Sequence, residues 1–157
     1  MTKPSLKSSK RRREKLASIT LANVSEHITW LRVCFVIERD FRCECDVDPA
    51  YSYDDEFYDN IYLCGFLIHT HGDVQDLPLL YSAKCSGNMD LSIGFDWECL
   101  FLDSPDTLKH YAKSIERQDI YDWICDYEED EDEDPWIAAR DRWRAYMRSY
   151  YNVKESP

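Results

Sequence analysis

Apolar and polar positions alternate most regularly between residues 91 and 101. Leu91, Ile93, Phe95, Trp97, Cys99 and Phe101 fall on one side of an extended chain, with Asp90, Ser92, Gly94, Asp96 and Glu98 on the other. Side chains two apart share one face of a strand, so the run predicts a strand with one wet face, as in an antiparallel sheet. Residues 29–38 carry Thr29, Leu31, Val33, Phe35 and Ile37 in one frame and Trp30, Cys34 and Val36 in the other, which predicts a strand covered on both faces. Two further apolar runs, 61–70 and 77–83, are read as the second and third strands. Ser86-Gly87-Asn88 supplies a turn that joins the third strand to the fourth as a hairpin.

Helical spacing follows. Ser104 is placed as an N-cap, with Pro105 at the first helical position and Asp106 against the helix dipole. Leu108, Ala112 and Ile115 give this helix its apolar stripe, and it continues past a break near Gln118 to Trp123. A last helix over 136–151 carries Trp136, Ala139, Trp143, Tyr146, Met147 and Tyr150 on one side and arginines on the other. A short helix is expected over 15–22. The pattern as a whole predicts an α+β fold of about four mainly antiparallel strands followed by two helices. Val33, Phe35, Leu63, Leu67, Leu91, Ile93, Phe95, Trp97, Leu108 and Trp143 are its expected core.

Charge divides the chain unevenly. The formal net charge is -12 over 157 residues. Residues 1–15 nevertheless hold seven bases against Glu14, with Lys10 to Arg13 consecutive, and read as a disordered basic arm. That arm could touch nucleic acid or an acidic protein, or act as a nuclear import signal in a eukaryotic cell. Residues 16–157 read as a single acidic domain, with the run from Asp126 to Asp134 as an exposed acidic linker. Between Cys43 and Leu108 fourteen carboxylates face one base, Lys84. Such a field repels nucleic-acid phosphate and favours a basic partner.

The seven cysteines include Cys34 and Cys64 inside apolar runs. No apolar leader precedes them, so they are expected as free thiols in a reducing compartment, the cytoplasm or the nucleus. No apolar run has the length of a membrane span. Cys43 and Cys45, with Cys64, His69, His71 and Cys85 downstream, are a second-rank set of zinc ligands, because one residue between cysteines is narrower than the usual spacing.

The leading functional expectation is a non-catalytic protein whose acidic face binds a basic, nucleic-acid-binding partner, with no cofactor. Tyr53, Asp54, Asp55, Glu56, Tyr58 and Asp59 are its expected contact residues: carboxylates imitate a phosphate array, and tyrosines add flat contact area at low entropic cost. In composition the chain is similar to small inhibitors of phages and mobile elements, such as antirestriction and anti-CRISPR proteins, and to bacterial immunity proteins. An alternative starts from His69-Thr70-His71, which on a strand would present both imidazoles to one divalent metal. That pair resembles the metal-binding motif of the HUH replication initiators and relaxases. The resemblance implies a nicking enzyme for single-stranded DNA, with Tyr111 on the downstream helix as nucleophile. A third reading is a subunit of a larger assembly.

Overall fold

A computed structural model describes residues 4–130 and 135–156 of the chain. Among the described residues there are eight α-helices and no named strand, so the α+β expectation is corrected to an all-helical fold. The helices are α1 (Ser9–Ala17), α2 (Val24–Arg42), α3 (Asn60–His71), α4 (Leu77–Lys84), α5 (Met89–Gly94), α6 (Pro105–Ser114), α7 (Gln118–Glu129) and α8 (Trp136–Tyr150). Extended pairing among the described residues is limited to one isolated bridge between Ser8 and Ser52.

The four expected strands fail for identifiable reasons. Residues 29–38 lie inside the 19-residue helix α2. Leu31, Cys34, Phe35 and Glu38 turn inward there, at spacings of three and four, while Val33 is 42% exposed. The run 61–70 becomes α3, in which every residue except Tyr62, Thr70 and His71 is buried. A helix buried all round shows no polar face, and over ten residues it reads like a buried strand. Gly72 at φ 76° ends α3 in the left-handed conformation a helix C-terminus favours. The run 77–83 lies in α4.

The alternating run breaks in two. Asn88 Oδ1 accepts the Leu91 amide at 2.8 Å and starts α5, and a short 3-10 helix follows at Trp97–Leu100. Leu91 and Phe95 stay buried, Trp97 is half-buried, and Ile93 is 74% exposed. Phe35, Leu63, Leu67, Leu108 and Trp143 are buried as expected. Ser104 caps α6 as its sequence predicts, accepting the Thr107 amide at 3.2 Å with Pro105 in the first turn. The expected break falls at Ile115–Arg117, where Glu116 has φ 57° and α7 begins.

The α2–α3 pair is the most extensive packing in the fold. Gly65 lets α3 approach the 88–99 segment closely: a methyl at that position would meet the Phe95 ring at 3.0 Å. Phe95 in turn sits edge-on to Phe35 at 5.7 Å between ring centres. A second aromatic cluster joins α7 and α8 to the 3-10 helix. Phe101 stacks on Trp136 at 3.7 Å, and Trp123 stacks on Trp97 at 5.1 Å.

The basic arm is corrected most sharply. Its first described residues form a short 3-10 helix, Pro4–Leu6, and α1, with Leu6, Ser9, Arg12 and Leu16 buried; the short helix expected over 15–22 is thus earlier. Arg12 is 0% exposed. Its Nε donates to Glu38 Oε1 at 2.6 Å, Nη1 to Leu6 O at 2.8 Å, and Nη2 to Ser9 Oγ and Ser52 O, each at 3.0 Å. A disordered arm would leave these donors in water. Here burial of Leu6 and Leu16 carries the arginine inward, where Glu38 on α2 meets it. In the expected acidic linker, Asp126 to Glu129 belong to α7, while positions 131–134 lie outside the described residues.

Candidate interaction face

The loop from Cys43 to Asp59 joins α2 to α3 and is held at several points. Tyr53 stacks on Phe41 at 5.3 Å between ring centres. The Ser52 amide donates to Lys7 O at 2.8 Å, and the Asp54 amide to Ser9 Oγ at 3.0 Å. Arg42 Nη1 donates to Tyr58 O at 3.1 Å. Asp54 Oδ1 accepts the Glu56 amide at 3.0 Å and caps a turn over Asp55–Phe57. The segment is therefore a tethered surface loop.

The six expected contact residues divide by role. Asp54, Asp55 and Glu56 are exposed, and among the described residues no basic side chain bonds to them. Tyr58 is 53% exposed. Tyr53 is largely consumed by its stack on Phe41. Asp59 is ion-paired with Arg13 Nη2 at 2.6 Å. Glu44, Asp46 and Asp48 extend the exposed carboxylates along the same loop. Elsewhere the acidic excess is partly neutralised: Arg32 holds Asp73 and Asp76, and Lys109 holds Asp106 and Glu128. The basic helix α1 lies beside the acidic loop, with Lys7, Lys10 and Arg11 exposed.

The histidine pair is not assembled as a strand would assemble it. Residues two apart on a helix differ by about 200° around its axis. His69 is fully buried, its Nδ1–H donating to Cys99 O at 2.9 Å and its Nε2 accepting from Arg144 Nε at 2.7 Å. Both ring nitrogens are thus used within the protein. Burial and the Arg144 guanidinium lower its pKa to about 3. His71 is half-buried and pairs through Nδ1 with Ser25 Oγ at 3.2 Å. Tyr111 packs partly buried against the core. The cysteines expected as zinc ligands are free thiols: Cys64 is buried and donates to Leu31 O at 3.2 Å, while Cys45 and Cys85 are exposed. Among the described residues no group of three His, Cys, Asp or Glu side chains is placed to hold a metal ion. No described helix is long and apolar enough to cross a membrane.

Two hollows adjoin the loop's end. A cleft of about 630 Å³ lies between the end of α1 and residues 150–154, with Arg13, Leu16, Asp59, Leu63 and Lys154 in its walls. A groove of about 310 Å³ is lined by Tyr58, Tyr62, Tyr146, Tyr150 and Tyr151, together with Asp59, Gly94, Asp96 and Met147. Asp96, Tyr62 and Tyr146 are absent from the expected contact set. In the sequence pattern Asp96 falls on a strand's wet face and Tyr146 on a core stripe. No protein family, curated protein or solved structure matches the chain.

Proposed function

We propose that this is a non-catalytic interaction protein whose acidic loop face binds a basic partner, in the manner of a nucleic-acid mimic. The observation that carries the reading is the tethered 43–59 loop, whose Glu44, Asp46, Asp54, Asp55 and Glu56 carboxylates are exposed, with no bonded basic side chain among the described residues. A flexible polyanion must be ordered on binding, whereas a pinned loop has already lost that freedom. Clustered exposed charge acts mainly on the association rate.

The test replaces Asp54 and Asp55 with Asn, and Glu56 with Gln. Asn keeps the oxygen that caps the turn at Asp54. Association with the basic partner should slow by roughly tenfold at low salt, and the difference should shrink as salt shortens the screening length. Tyr58→Ala should instead speed dissociation, because that ring is exposed at the loop's end. Tyr53→Ala should loosen the loop through loss of the Phe41 stack and so change both rates. Proteins retained by the immobilised chain from its own cells should bind heparin and be displaced by duplex DNA. Retention indifferent to salt and to the triple substitution would overturn the proposal.

A further inference from the structure

The tyrosine groove is built for more than diffuse attraction. Tyr146 and Tyr150 project from α8 with ring centres 5.8 Å apart, and Tyr150 stands edge-on to Tyr151 at 4.9 Å. Tyr58 and Tyr62 form the wall from the start of α3. Gly94 completes the lining, and a methyl group there would overlap the Tyr62 hydroxyl. Tyr58, Tyr146 and Tyr150 are each more than half exposed. Asp96 lies in the same lining. One of its oxygens, Oδ2, accepts the Trp143 indole N–H at 2.8 Å, and no ion pair engages the carboxylate among the described residues. A neutral indole orients the carboxylate without pairing its charge, which Lys84 offsets only through space, and Oδ1 is left for a second donor.

Aromatic faces around a carboxylate form a recognisable chemistry. A guanidinium stacks on a tyrosine face through its plane and donates to a carboxylate through its edge. The chain uses the same chemistry internally. Arg42 lies over Tyr62 at 5.6 Å, and Arg13 lies over Tyr151 at 5.9 Å while bonding Asp59. Among the described residues no cation lies over the ring of Tyr58, Tyr146 or Tyr150. Of the α8 arginines, Arg144 and Arg148 line a different hollow with Leu21, Phe66 and Thr70, while Arg142 shares a neighbouring hollow with Asp96, Glu98 and Tyr146. At about 310 Å³ the groove has room for a long side chain.

We propose that this groove is the socket for a single arginine side chain of the basic partner, its guanidinium donating to Asp96 and stacked on the exposed tyrosines. The assignment rests on the partner-binding reading above and adds a specific anchor to it. Such an anchor would govern dissociation, whereas the loop carboxylates govern encounter.

The test needs no partner. The Trp143 indole N–H is bonded to the carboxylate that would receive the ligand, so its NMR resonance, assigned by Trp143→Phe, reports occupancy. Titration with N-acetyl-argininamide should shift it saturably, and the neutral isostere N-acetyl-citrullinamide should bind at least tenfold more weakly. Asp96→Asn keeps an oxygen for the indole and removes the charge, and should abolish the saturable shift. Tyr146→Ala removes an exposed wall and should weaken binding severalfold with the fold intact. No saturable shift, equal binding of the citrulline derivative, or unchanged affinity in Asp96→Asn would each overturn the socket. A failed titration beside an intact effect of the loop substitutions would leave the partner reading standing. The reverse pattern would leave the socket without the acidic loop's role.

Discussion

Lowering the pH from 7 to 4 should destabilise this protein steeply, and the buried His69 should account for most of the loss above pH 4.5. The ring is neutral in the folded state because Arg144 donates to Nε2 and leaves no place for a second proton. Its pKa falls from 6.5 to about 3, first through burial and then through the charges of Arg144 and Arg140. A depressed folded pKa means that the unfolded chain binds the proton more tightly. The stability is therefore complete above the unfolded pKa and is lost as pH falls towards the folded one. The loss should reach about 2 kcal/mol by pH 5 and approach roughly 5 kcal/mol at full protonation. The groups facing the ring are the Cys99 carbonyl, the edge-on Trp143 at 4.9 Å and the two arginines, so among the described residues no carboxylate is placed to rescue an imidazolium. Urea titrations at a series of pH values should show the slope, and His69→Gln should flatten it between pH 6.5 and 4. A His69 ring that titrates near its ordinary value in the folded protein would defeat this account.

Arg12→Met should cost about 3–5 kcal/mol at neutral pH, the range for removing one partner of a buried ion pair. Methionine fills much of the volume but abandons Glu38 among apolar side chains, with Asn60 Nδ2 at 2.9 Å as its remaining donor. Leu6 O, Ser9 Oγ and Ser52 O lose donors as well. Burial pushes the Glu38 carboxyl up, while Arg12 and then Asn60 pull it down, so the substitution should raise it further. A raised folded pKa favours the folded state below the unfolded value and costs stability as pH rises through the folded one. The penalty of Arg12→Met should therefore shrink on acidification, and adding Glu38→Gln should recover a large share of it at pH 7. Loss of α1 should accompany the single variant, visible as rapid proteolysis at Lys10 and Arg11. An equal penalty at pH 5 and 7 would show that the pair contributes packing rather than charge.

What the sequence discloses depends on the kind of signal. Local end chemistry is legible: Ser104-Pro105 starts a helix where expected, and α8 occupies nearly the whole of its aromatic stripe. Periodicity is not legible where a helix is apolar on every side. In α3 the only ordering signal is Gly72 at its end, and a ten-residue apolar run gives no face to count. The run 91–101 alternates because α5, a cap at Asn88 and a 3-10 helix happen to place apolar residues at odd positions. The site follows the same division. Asp54, Asp55 and Glu56 are exposed because nothing apolar carries them inward. Tyr53 and Asp59 are occupied by Phe41 and Arg13, partners distant in sequence that no local pattern names. The His69/His71 pair depended wholly on the strand, and lost its geometry with it.

The C-terminal segment is sewn to the turn between α1 and α2. The Leu21 amide donates to Lys154 O at 3.0 Å, and the Ala22 amide to Glu155 O at 2.9 Å. These two bonds close a loop that encompasses almost the entire polypeptide, and closure entropy rises only slowly with loop length but must be met before the bonds form. The seam is therefore expected to zip late, after α2 and α3 have condensed, and to open first in the native state. Amide exchange at Leu21 and Ala22 should then report on the C-terminal residues: cutting the chain after Tyr151 should leave the α2–α3 amides slow while those two exchange freely. The seam also couples the C-terminal segment mechanically to the α1–α2 turn, so a bulky group fused beyond it would be felt first at the end of α1.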